Sequence, residues 1–111
     1  MTTCQVTTTI DDRTAAEALA RSAVEARLAA CGQLVGPITS VYRWEGAVET
    51  AAEWMVVFKT TASVAAALVE HVRSRHPYRV AEILVTPVVD GNPAYLAWVA
   101  ESTGGPDVPQ L

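Results

Sequence analysis

The order of segments predicts an α+β domain built on an antiparallel sheet, since β-rich and helix-periodic stretches alternate as β-α-β-β-α-β before a last short helical stretch. Two observations carry this reading. Two long β-rich runs flank Glu45-Gly46 with no helical segment between them, so they must pair as a hairpin. At His76-Pro77 a helical pattern has to stop, because proline disfavours helical geometry in the residue before it.

The first strand reads from Thr3 to Ile10, with Cys4, Val6, Thr8 and Ile10 on one side and threonines that favour β structure. Asp11 and Asp12 offer an N-cap to an alanine-rich helix expected to run to about Ala30, with Gly32 marking its exit. Leu19, Ala23, Val24 and Leu28 are expected on its buried face. Arg13, Glu17, Arg21 and Glu25 recur every fourth residue and form a solvated stripe of alternating charge.

The hairpin strands follow. Leu34 to Trp44 is interrupted by Gly36-Pro37, where a bulge or an edge position is expected because proline removes a ladder donor. The return strand starts near Val48 and becomes strongly apolar at Trp54-Met55-Val56-Val57-Phe58. Thr60, Thr61 and Ser63 can cap a second helix through Arg75, with Val64, Leu68, Val69 and Val72 inward. A strand from Val80 to Val88 comes next, placing Val80, Glu82 and Leu84 on one face. Asp90-Gly91 turns the chain, and Asn92-Pro93 starts a last helix whose apolar face holds Tyr95, Leu96, Trp98 and Val99. This order is that of ferredoxin-like domains: an antiparallel sheet with two helices on one face. Residues 1–103 are expected as the single domain and 104–111 as a flexible tail.

Composition narrows the function. A net charge of -4 argues against a general nucleic-acid binder. No apolar run approaches the roughly 20 residues of a membrane span, and no secretory pattern opens the chain, so a cytoplasmic protein is expected. Cys4 and Cys31 are too few for a zinc knuckle and read as small hydrophobes. His71 and His76, five residues apart, do not share a helix face. The large apolar residues Trp44, Trp54 and Phe58 are too many for one small helical layer, so a greasy open sheet face buried against another subunit is expected.

The densest chemistry lies at His76-Pro77-Tyr78-Arg79-Val80-Ala81-Glu82, an imidazole, a phenol and a carboxylate within seven residues. Glu82 among aliphatic neighbours must be paired, hydrated or used. The cluster reads either as a capped helix end or as a polar site for a cation or small ligand. No nucleophile elbow, P-loop or zinc hydrolase signature is present, so catalysis is not expected.

Five ordered stretches also resemble the CutA divalent-cation-tolerance family: ARLAAC at Ala26–Cys31, ITSVYRWEG at Ile38–Gly46, FKTT at Phe58–Thr61, HPYRVAEIL at His76–Leu84, and YLAW at Tyr95–Trp98. The resemblance implies a cytoplasmic homotrimer linked to tolerance of divalent metals, copper in particular, with a trimer similar to that of PII signalling proteins. It nominates His76, Glu82 and Cys31 as metal ligands. Some members carry a histidine where this chain has Arg75, and an imidazole there would strengthen a copper site. The alternative is a regulatory or scaffolding trimer binding a small molecule or protein at an intersubunit cleft, with Tyr42, Trp44, Lys59, Tyr78 and Trp98 as cleft residues. No organic cofactor is implied.

Overall fold

The computed structural model of the protein describes residues 2–105. Its elements are β1 (Thr3–Ile10), α1 (Arg13–Glu25), β2 (Cys31–Trp44), β3 (Ala47–Thr61), α2 (Ala62–Arg75), β4 (Ile83–Pro87) and α3 (Pro93–Ser102). The four strands form one antiparallel sheet in the order β2-β3-β1-β4. This is the ferredoxin-like arrangement that the sequence predicts. Even-numbered residues of β1 and β3 face α1 and α2, and Val6, Ile10, Val56 and Phe58 make a core there with Leu19, Ala23, Leu68 and Val72.

Local chemistry explains most boundaries. The Asp12 carboxylate accepts from Ala15 N at 2.9 Å, capping α1. The alanine face of α1 lets it approach β2 closely, and a Cβ on Gly32 would lie 3.0 Å from the Ala20 methyl. Glu45 and Gly46 both have positive φ, 48° and 81°, as a tight two-residue hairpin turn requires. The Asn92 side chain accepts from Ala94 N and Pro93 takes the first helical position of α3.

Several expectations need correction. Helix α1 ends at Glu25, not Ala30. Arg27 takes φ 60°, a conformation that glycine usually fills, and Leu28 N turns back to donate to Ala23 O. The guanidinium donates to the carbonyls of Glu101 and Gly104, which offsets the strain and ties α1 to the end of α3. Gly32, expected as the helix exit, sits inside β2 opposite Phe58. Val24 is exposed rather than part of the buried face.

Trp54 and Phe58 do not lie on the open face. Both share the side of Val56 and pack with the helices, and only Trp44 of the three tryptophan and phenylalanine positions named above faces the other way. The last strand begins at Ile83 rather than Val80. Its pairing with β1 ends at Thr8, because the carbonyl of Thr9 is already bonded to the His76 ring. At α2, Thr61 is the N-cap residue but makes no side-chain cap; its hydroxyl meets that of Ser63, while Thr60 donates to Leu28 O. Gly104 is buried, with its N–H on Arg27 O. Residues 106–111, which hold most of the expected tail, lie outside the described residues.

Among the described residues one core group is unsatisfied: the Thr8 hydroxyl is fully buried beside Val6 and Ile10 and has no hydrogen-bond partner there. Leaving such a group unpaired costs about 1–3 kcal/mol, and an apolar group of the same shape avoids that cost. Thr8→Val should therefore raise the unfolding free energy by about 1 kcal/mol in a denaturant titration. A loss of stability would mean that the hydroxyl is bonded in solution.

Candidate functional site

The site forms on the open face, where β2 departs from regular pairing. Val35 pairs with Met55, but the next pair is Ile38 with Glu53, so β2 carries one extra residue across Gly36-Pro37. A one-residue slip moves all later side chains to the opposite face. Beyond the bulge, Ser40, Tyr42 and Trp44 therefore share the face of Glu53 instead of turning towards the helices. The bulge is held by packing: a Cβ on Gly36 would stand 2.7 Å from the Trp54 ring, so that position admits only glycine without movement.

The segment after α2 closes the other side. Pro77 forces His76 into extended geometry, φ -74° and ψ 137°. The ring Nδ1 accepts from Tyr78 N at 3.0 Å, so Nε2 carries the proton and donates to Thr9 O at 2.8 Å. His76 is thereby a brace between β1 and the loop. Its ring lies 4.7 Å from that of Tyr78, centroid to centroid. Tyr78 in turn donates its hydroxyl to the Glu53 carboxylate at 2.8 Å.

Glu53 is 7% exposed. Among the described residues no lysine or arginine forms an ion pair with it. It lines a cavity of about 560 Å³ together with Tyr42, Trp44, Tyr78, Arg79 and Glu82. Burial, then the hydrogen bond and charge of Glu53, push the Tyr78 phenol well above its ordinary 10.0.

The nominated residues thus fall into two groups. Tyr42, Trp44, Tyr78 and Glu82 meet at the cavity, with His76 bracing it. Cys31, Lys59 and Trp98 do not join them. Cys31 pairs with Lys59 in a row with Gln5, four residues along β1 from Thr9, or about 14 Å. There the Cys31 thiol lies 3.5 Å from the Tyr95 hydroxyl, Tyr95 stacks on Trp98, and Lys59 donates to Gln33. The hydrogen bond to Cys31, then burial, raises the Tyr95 phenol to about 12. Among the described residues no three histidine, cysteine or acidic side chains gather as a metal centre. His76, Glu82 and Cys31 therefore do not form one within a single chain.

Glu53 and Arg79 were not singled out by the sequence. A carboxylate one residue before Trp54-Met55-Val56-Val57-Phe58 was the available signal. Its meaning depends on the bulge that turns it towards Tyr78.

Residues 4–102 match the family described as CutA1 divalent ion tolerance protein. The chain is 50% identical over 88 residues to Protein CutA of Mus musculus, spanning 79% of this chain and 50% of that protein. It thus covers about half the length of that relative. It is 42% identical to the divalent-cation tolerance protein CutA of Thermus thermophilus, over 86% of this chain and 93% of the relative. The crystal structure of CutA1 from Oryza sativa superposes with a TM-score of 0.90 at 40% identity, covering 94% of this chain and 95% of that one.

The two tyrosines set a pH dependence. A phenol whose pKa is higher folded than unfolded lends stability that is complete below about 10 and is lost as pH rises through the folded value. Stability should decline above pH 10, and Tyr78→Phe should flatten that decline in denaturant titrations across pH. At neutral pH the same variant should cost about 1–3 kcal/mol, because Glu53 loses its partner.

Proposed function

The chain belongs to the CutA1 divalent ion tolerance family, and on that premise we propose that it serves divalent-cation tolerance by binding rather than catalysis, as a cytoplasmic homotrimer. The observation that carries the assembly is the composition of the open sheet face. Val35 and Leu84 are more than half exposed there, in the same rows as Met55 and Val57. An apolar strip of this kind is buried against another subunit. The hairpin offers a second apolar surface, since Val41 and Val48 lie bare on its other side. Val57→Asp should reduce the mass seen by light scattering from three chains to one. A mass that stays at three chains removes this face from the interface.

For the ion, copper is the first to test, because imidazole and carboxylate suit Cu(II) and thiolate suits Cu(I). The donors of one chain do not fit a metal centre. Both nitrogens of His76 are engaged, Glu82 is exposed, and Cys31 stands at the other end of the face. Copper bound through these residues takes its remaining ligands from other copies. A calorimetric Cu(II) titration should show saturable binding with a whole-number ratio per trimer. Cys31→Ser, Glu82→Gln and His76→Ala each report on one ligand, the last also removing the brace on Tyr78. Heats unchanged in all three would exclude these residues as ligands.

The cavity favours a second reading: a PII-like regulatory or scaffolding trimer that binds a small molecule at a cleft on this face. A concave site with aromatic walls and a few convergent polar groups suits such a ligand. In this reading Glu53, Tyr78 and Glu82 are binding groups.

A further inference from the structure

We propose that the cavity beneath the hairpin takes a small organic cation, an ammonium or guanidinium compound with a compact apolar body; this rests on the small-molecule reading of the cleft. Glu53 is the central observation. A carboxylate with 7% of its surface exposed is expected to be paired with a cation or fully hydrogen-bonded. The Tyr78 hydroxyl reaches one oxygen, Oε2, and among the described residues no donor meets the other. That oxygen belongs to a side chain lining the cavity.

The walls suit the same chemistry. Tyr42 and Trp44, each 43% exposed, border the cavity, and the faces of such rings attract cations. Glu82 adds a second carboxylate at the exposed rim, and Arg79 a single positive charge. The carboxylate that is buried carries more weight than the rim charges, because solvent screens the latter. A volume of about 560 Å³ lies within the range of small-molecule sites and far exceeds a bare ion. A divalent metal would find two carboxylates, Glu53 and Glu82, and no histidine, cysteine or further acidic side chain gathered with them among the described residues. An alkylammonium instead uses all three features: the free oxygen of Glu53, the ring faces and the apolar volume.

The test uses the intact protein and three probes of one size: n-butylammonium, n-butanol and butyrate. The readout is the Trp44 indole N–H resonance, assigned with Trp44→Phe. Butylammonium should shift it saturably, with an affinity about tenfold or more above either other probe. Glu53→Gln keeps an acceptor for Tyr78 but removes the charge, and should weaken butylammonium by a similar factor while the mass in solution stays unchanged. If butanol or butyrate binds as well as the ammonium, the cation assignment is overturned and the cleft reading survives. If none of the three moves the resonance, the small-molecule reading falls with it. The comparison of probes on the unaltered protein decides the matter even where Glu53→Gln does not fold.

Discussion

Between Val35 and Ile38, strand β2 advances three residues while β3 advances two, and this single extra residue decides which side chains meet on the open face. Upstream of it, Leu34 packs into the core and Val35 points away. Downstream, the alternation is reversed, so Tyr42 and Trp44 come onto the side of Glu53 and Met55. With regular pairing those rings would project on the helical side of the hairpin, beyond the reach of Tyr78. The cavity therefore depends on a backbone irregularity, and Gly36 beneath the Trp54 ring is what gives it room.

A second constraint is the His76 brace. Both ring nitrogens are used, one on a carbonyl of β1 and one on the amide of Tyr78. They fix the loop that carries Tyr78, Arg79 and Glu82 against the end of the sheet. The histidine that looks most like a ligand is thus a structural part of the site, and the carboxylate it helps to place is Glu53 through Tyr78. The same geometry separates the cavity from the Cys31–Tyr95–Trp98 cluster, where α3 lies across the other end of the face. Two chemically distinct regions share one sheet surface, and an assembly that covers this surface encloses both.

The apolar alternation in β1 and the caps at Asp12 and Asn92 were legible because they are local: each depends on neighbours within four residues. The break before Pro77 was legible for the same reason. Trp54 and Phe58 were misplaced because a continuous apolar run does not reveal which face each residue takes. The end of α1 was missed because no glycine marks it; Arg27 holds the left-handed conformation with help from carbonyls 74 and 77 residues away.

By itself the sequence determined the element order, the sheet topology and the family, since these follow from short-range periodicity, turn chemistry and five ordered stretches of residues. It also placed Tyr42, Trp44, Tyr78 and Glu82 among the residues of interest. Only the tertiary structure decided that these four converge on a buried Glu53 and that Cys31, Lys59 and Trp98 do not. The physical reason is register. Which residues face each other across a sheet is set by pairing between distant segments and by one bulge, and a shift of a single residue exchanges the two faces.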